Sequence, residues 1–303
     1  MMNKKIKMVM GAFLSVAGVL LLVSSAFAEL TKVADNVYSY VGVKNASPLN
    51  SFGANAGIVV GSDGVLVIDT LVSAKEAQRF IADIRKITDK PIKYVVNTHY
   101  HLDHAFGNSE FAKLGAMIIA TDADRRNLAQ YGEETLKGAG NFGLTAQDME
   151  GTSIVLPDIT FRDKMTIHLG DETVELIYVM PSHTTGSVLT YIPRHKMLFA
   201  GDILFTDFHP YMADCDVKGW IESLDFIDKM DVETIIPGHG PLSTKKDVKE
   251  IRDYLRTFDM IALKMVAKGK DAEAIAAKLA KELPQRSQNE WTILRNVNAK
   301  YTK

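Results

Sequence analysis

The chain has 303 residues, of which 47% are hydrophobic, with a formal net charge of −2 and a pI near 6.5. That is enough to bury a large core, as one domain or as a domain with a smaller appendage. The near-neutral charge gives no sign of a polyanion-binding face, so no nucleic acid is expected as a partner, and a single cysteine, Cys215, excludes an intrachain disulfide framework.

The first 28 residues read separately. Lys4, Lys5 and Lys7 form a basic start, Val9 to Val23 is mostly apolar, and Ala26-Phe27-Ala28 has the small-x-small form of a cleavage site. This pattern predicts a signal peptide cut after Ala28, with an uncleaved anchor as the alternative for a segment this apolar. Loss of the three lysines takes the formal charge from −2 to −5. No later run is comparably apolar, so the mature protein is expected to lack a stable membrane anchor and to be periplasmic or secreted.

In the mature chain, Val37 to Val41 reads as a strand and Asn45 to Gly53 as a flexible loop. Ala54 to Val60 and Val65 to Ile68 form a predicted hairpin across Gly61-Ser62-Asp63-Gly64. The apolar spacing of Ser73 to Ile87 is helical, and Lys93 to Asn97 is the next strand. A helix over Ala105–Leu114, a strand over Ala116–Ala120 and a helix from Asp122 to Tyr131 follow. Residues 132–163, interrupted by Gly138, Gly140 and Gly143, carry no clear pattern. Two hairpins come next, Thr166–Leu169 with Thr173–Val179 and Ser187–Ile192 with Met197–Ala200. After them come a helix over Lys218–Lys229 and a last strand, Thr234–Ile236. Helices are predicted over Lys249–Val266, Ala272–Leu283 and Asn289–Val297; their apolar faces pack on the main layers or make a homo-oligomer contact. The expected division is therefore a signal peptide (1–28), a main domain (29–244) and a C-terminal helical extension (245–303). Short strands mixed with helices point to an α/β fold in which helices cover a two-sheet core.

The chemistry concentrates in Thr98–Asn108, where His99, His101, Asp103 and His104 fall within six residues just after a predicted strand. Three more candidate donors stand after strand-like runs with glycine near each: His183 before Gly186, Asp202 after Gly201, and His239 between Gly238 and Gly240. Side chains from successive strand ends converge on one sheet edge, where α/β proteins place their sites. The donors suffice for two cations. His99, His101 and His183 are assigned to the first, Asp103, His104 and His239 to the second, and Asp202 bridges them. Three neutral imidazoles with an open fourth position favour zinc, and Asp103 is the candidate to orient water or move a proton. Asp69, ending the strand before the first helix, is the candidate to support the metal-bearing loop. Tyr38 and Tyr40 are further candidates for support; His168, His195 and His209 are read as structural or exposed. Trp220 and Trp291 are read as helix-packing residues.

The His-x-His-x-Asp-His run at 99–104, followed by His183, Asp202 and His239, resembles the metallo-β-lactamase-fold hydrolase superfamily over roughly residues 33–243. The resemblance implies a four-layer αβ/βα sandwich with C-terminal helices and a dinuclear site, usually of zinc, with iron in some sulfur-oxidising relatives. Asp202 and Phe205 stand where one lactamase class has cysteine and lysine. The set therefore looks more like glyoxalase II, lactonases and exported sulfur-pathway relatives, although the lactonase pattern places tyrosine where Phe205 stands. The implied activity is hydrolysis of a small carbonyl substrate (ester, thioester, lactone or lactam) by metal-activated hydroxide. The alternatives are a mononuclear iron dioxygenase using His99, His183 and Asp202, a phosphodiesterase, and a non-enzymatic metal-binding interaction module.

Overall fold

The structure is a computed structural model describing residues 29–288 and 290–302. The expected signal peptide and Asn289 lie outside the described residues. The strands are Thr31–Ala34 (β1), Val37–Ser39 (β2), Gly57–Gly61 (β3), Gly64–Ile68 (β4), Ile92–Val96 (β5), Met117–Thr121 (β6) and Ile159–Phe161 (β7), then Lys164–His168 (β8), Thr173–Tyr178 (β9), Val188–Ile192 (β10), Met197–Phe205 (β11) and Thr234–His239 (β12). The helices are Ala74–Ile87 (α1), Leu102–Ala105 (α2), Asn108–Ala112 (α3), Asp122–Lys137 (α4), Val217–Lys229 (α5), Lys245–Val266 (α6), Ala272–Glu282 (α7) and Thr292–Lys300 (α8). β1 to β7 form one sheet in chain order, and the second runs β12-β11-β10-β9-β8.

Alternation along the strands builds the layers. In β3 and β4, Ile58, Val60, Val65 and Val67 face one way and pack with Ala77, Phe80 and Ile84 of α1 and Phe111 of α3. Val59, Leu66 and Ile68 face the other way and meet Val174, Leu176, Val188, Phe199 and Ile236 of the second sheet. Both faces of these strands are covered, which is why they read as unbroken apolar runs. The far face of the second sheet, with Leu189, Leu198, Ala200 and Ile235, packs on Trp220 and Leu224 of α5 and Ile251, Leu255 and Phe258 of α6. Two sheets thus pack face to face with helices outside both, the α/β two-sheet architecture expected. Ile275 and Leu279 of α7 and Ile293 and Val297 of α8 join that same core, so the C-terminal helices pack on the main layers.

Four local expectations are corrected. Residues 45–53 are not an open loop: 48–53 form 3-10 turns in which Asn50, Ser51 and Gly53 are buried. The Asn50 side chain accepts from the Ser47 backbone N–H there at 2.8 Å. The helix expected over 105–114 is two short helices, because the chain turns at Phe106-Gly107 to bring the Gly107 Cα against the Thr70 carbonyl, where any Cβ would collide. α4 continues six residues past Tyr131, to Lys137. β11 and β12 run through Asp202 and His239 rather than stopping before them, with an irregular register beyond Phe199 that lets the ligand-bearing residues depart from strict alternation.

Candidate metal centre

All seven expected donors meet at one edge of the two sheets. His99, His101, Asp103 and His104 come from the turn and short α2 after β5, and His183 from the loop between β9 and β10. Asp202 and His239 lie in neighbouring parallel strands, β11 and β12. Their atoms fall into two groups, His99, His101, His183 and Asp202, and Asp103, His104 and His239. In the first, His101 Nδ1 lies 3.1 Å from His99 Nε2 and 3.0 Å from His183 Nε2. Asp202 Oδ2 is 3.3 Å from His183 Nε2 and 3.7 Å from His99 Nε2. In the second, Asp103 Oδ2 is 3.3 Å from His239 Nε2 and 3.6 Å from His104 Nε2. The other oxygen of Asp202, Oδ1, faces this group, 3.2 Å from His104 Nε2 and 3.5 Å from His239 Nε2. One carboxylate therefore presents one oxygen to each set.

These residues fit metal ions on three grounds. The spacings are near the edge of a tetrahedron with bonds of about 2.1 Å, roughly 3.4 Å. Asp202 Oδ1 and His104 Nε2 are buried without a hydrogen-bond partner among the described residues, despite their 3.2 Å separation. Unsatisfied buried groups of this kind are costly, and a cation between them removes the cost. Gly238 completes the cradle: a Cβ there would overlap Asp202 Oδ1, so only glycine lets β12 pass so close to the carboxylate.

The electrostatics divide the two groups. Burial drives His99 well below the ordinary imidazole range and takes His183 down to about 3, so both are neutral donors. Against the same burial, Asp202 and Asp103 push His104 well above that range and His239 to about 9. In return, and again against burial, the neighbouring histidines hold Asp202 far below a normal carboxylate. The carboxylates thus retain protons at the second set in the metal-free protein, where a divalent cation would replace them.

Residues behind the donors fix their tautomers. Asp69, at φ +60° after β4, accepts from the Thr98 backbone N–H and the Thr98 hydroxyl, both at 2.7 Å, and its Oδ2 lies 2.8 Å from His104 Nδ1. That contact leaves His104 Nε2 free to face the metal position, the supporting place expected for Asp69. Tyr40 instead donates to Asp83 on α1, and Tyr38 packs in the α1-side core; neither touches the donors. Two partners were not foreseen. Asp214 Oδ2 lies 2.9 Å from His101 Nε2 and also accepts from the Tyr100 hydroxyl, and the Phe52 carbonyl lies 3.1 Å from His239 Nδ1. Neither had a sequence signal: Asp214 lies in an unpatterned stretch between a predicted strand and a predicted helix, and the other contact is made by a backbone carbonyl. His209 is buried against the Tyr254 hydroxyl, His195 sits near Glu172 and His168 is exposed; none joins the centre.

The donors open into a cleft of about 640 Å³, lined by His101, Asp103, Asp202 and His239, with Phe52, Phe106, Phe142, Phe205, Tyr211 and Trp291 among its walls. Trp220 packs in the core, its indole N–H donating to the Ile203 carbonyl at 2.8 Å. Trp291 is corrected: it is 52% exposed at the cleft rim, because α8 begins beside the cleft rather than beneath the core.

Residues 49–239 match the model of the metallo-beta-lactamase superfamily. Among curated proteins, the chain is 25% identical over 259 residues to a linear primary-alkylsulfatase from Pseudomonas sp., a match covering 73% of this chain and 49% of the relative. The chain thus spans about half the length of that enzyme. It is 26% identical over 204 residues to an acyl-coenzyme A thioesterase from Homo sapiens (61% and 72% covered) and 24% identical over 235 residues to a type 2 metallo-beta-lactamase from Elizabethkingia meningoseptica (76% and 86% covered). In fold it is similar to a metallo-beta-lactamase from Pontibacter korlensis (TM-score 0.62, 21% identity, 76% of this chain and 99% of that one). A stereoselective inverting sec-alkylsulfatase from Pseudomonas sp. is also similar (TM-score 0.66, 21% identity, 90% and 50% covered).

Proposed function

The chain belongs to the metallo-beta-lactamase superfamily, and on that premise we propose that it is an exported hydrolase holding two zinc ions and cleaving a small ester, thioester, lactone or lactam. The observation that carries this reading is Asp202, whose two oxygens serve two separate histidine sets while Oδ1 lacks any hydrogen-bond partner among the described residues. Curated relatives in this superfamily are named as a sulfatase, a thioesterase and a β-lactamase.

His99, His101 and His183 would hold one ion, Asp103, His104 and His239 the other, and Asp202 both. Bound divalent ions supply Lewis acidity and lower the pKa of water toward neutrality. The chain's own part is to present a reactant to that centre. Asp103 is the more open of the two acids, with 12% of its side chain exposed against 5% for Asp202, and it lines the cleft. Its carboxylate would orient a water molecule and accept its proton. The aromatic walls bind the apolar part of a substrate and exclude bulk solvent from the reacting group. Asp69 and Asp214 hold His104 and His101 in the ligating tautomers.

The test is metal analysis of protein reconstituted with zinc, beside turnover of ester, thioester, lactone and lactam panels. Two equivalents of zinc and turnover of one carbonyl class are expected. Asp202→Asn should bring the zinc content toward one or fewer equivalents; unchanged stoichiometry refutes the bridging role, and a two-zinc protein inert to every panel refutes the hydrolase. A second reading, sulfate-ester cleavage, is favoured by the long match to the alkylsulfatase, and octyl sulfate belongs in the panel. Export is tested by N-terminal sequencing of the extracytoplasmic protein, which should begin at Glu29.

A further inference from the structure

The cleft lining contains acids, hydroxyls and aromatic rings but no lysine or arginine. A positive charge is brought to it from outside the family-matched segment, by Arg295 of α8. Its guanidinium carbon lies 5.0 Å from the ring of Phe142, 5.6 Å from that of Tyr211 and 5.9 Å from that of Trp291. All three rings are cleft walls that come from different parts of the chain: the 3-10 turn after α4, the loop after β11 and the residue before α8. Among the described residues no carboxylate pairs with Arg295, whose side chain is only partly buried. Burial, with the Asp214 carboxylate adding, raises the Tyr211 phenol, and Arg295 offsets part of that rise by its charge and by a hydrogen bond to the Tyr211 side chain.

A guanidinium held among aromatic rings has already lost much of its side-chain freedom, and of its five in-plane N–H donors those not engaged by Tyr211 remain for a carboxylate or sulfate. The aromatic contacts stabilise the cation without consuming its charge. The Tyr211 ring is also 5.7 Å from that of His101, a metal-site donor. Tyr211 thus links the two, and the guanidinium carbon lies no farther from the His101 ring than those two steps together.

We infer that Arg295 is a specificity residue: the substrate carries an anionic group at the end opposite the bond that is cleaved, and Arg295 binds that group at the mouth of the cleft while the reacting group meets the metal centre. The inference rests on the hydrolase reading for the position of the reacting bond, but the anion site is testable without turnover.

Two matched pairs of probes separate the two. The first is mono-4-nitrophenyl glutarate against 4-nitrophenyl pentanoate, which differ in replacement of a carboxylate by a methyl group. The second is the corresponding pair of N-propyl amides, which are bound but not cleaved on the time scale of the titration, followed by calorimetry or Trp291 fluorescence on the zinc-loaded full chain. Wild type should favour the anionic member of each pair. Arg295→Met should reduce kcat/KM for the anionic ester about tenfold, mainly through KM, with the neutral ester within twofold. Arg295→Lys, which keeps the charge but loses the planar fork, should fall between. The anionic amide should lose affinity in parallel. If the anionic preference survives in Arg295→Met, the anion is held elsewhere, at the metals for example, and the inference fails. It fails equally if both members weaken alike, which marks a structural role, or if wild type shows no preference. If neither ester is cleaved but the amide pair shows Arg295-dependent discrimination, the hydrolase reading is refuted and the anion site stands.

Discussion

Asp69→Asn isolates one contact at the metal centre. Asparagine tolerates the left-handed backbone of residue 69 as aspartate does, so φ +60° need not change. Its carbonyl still accepts from the Thr98 backbone N–H, but an NH₂ group replaces the oxygen that lies 2.7 Å from the Thr98 hydroxyl and 2.8 Å from His104 Nδ1. The hydroxyl rotates to accept. His104 has no such freedom: to accept from the amide at Nδ1 it must carry its proton on Nε2, the atom that faces Asp202 and Asp103. The second metal position thereby loses a donor, while the first keeps His99, His101 and His183. Loss of such a supporting hydrogen bond costs about 10–100-fold in metal affinity, or about 1.4–2.7 kcal/mol. Zinc titration against a chromogenic chelator should show one binding step displaced by that factor and the other nearly unchanged. The metal-free melting curve is the control for folding. Two unaltered binding steps would refute the tautomer argument; equal weakening of both would show that Asp69 holds the whole turn rather than one imidazole.

Asp214→Asn removes the charge from the acceptor 2.9 Å from His101 Nε2, and zinc affinity at the first set should fall about tenfold, read by the same titration. Gly238→Ala places a methyl group on Asp202 Oδ1 and within 2.8 Å of the Gly201–Asp202 backbone, so zinc content should drop below one equivalent and the metal-free protein should melt at a lower temperature, read by metal analysis and thermal unfolding. His209 is taken by burial, with Arg286 adding, down to about 4, below the 6.5 of an unfolded histidine. Its contribution to stability is therefore complete above pH 6.5 and lost as the pH falls toward 4, because the unfolded chain takes up the proton first. Urea unfolding with chelator present should show His209→Gln losing less stability than wild type between pH 7 and 4, by something on the order of 1–3 kcal/mol; parallel curves would contradict this.

The sequence by itself determined the candidate donors, because side chains able to bind a metal are chemically distinctive and four stand within six residues, with His183, Asp202 and His239 each near glycine after a strand-like run. It also determined the two-sheet core, since strands buried on both faces leave runs such as Ile58–Val60 and Val65–Ile68. The break at Gly107 was hidden: the residue pattern continues through it, and only the approach of Thr70 forces the turn. Asp214, the Phe52 carbonyl and Arg295 were hidden for a related reason. Asp214 and Phe52 lie in segments without periodicity, a charged residue on a helix such as Arg295 is ordinary, and the partners that matter come from segments far away in the chain. Short-range spacing encodes which atoms are able to bind a cation. What holds those donors from behind, and what stands at the cleft mouth, depended on how two sheets and three terminal helices pack, a long-range balance of burial that no local stretch contains.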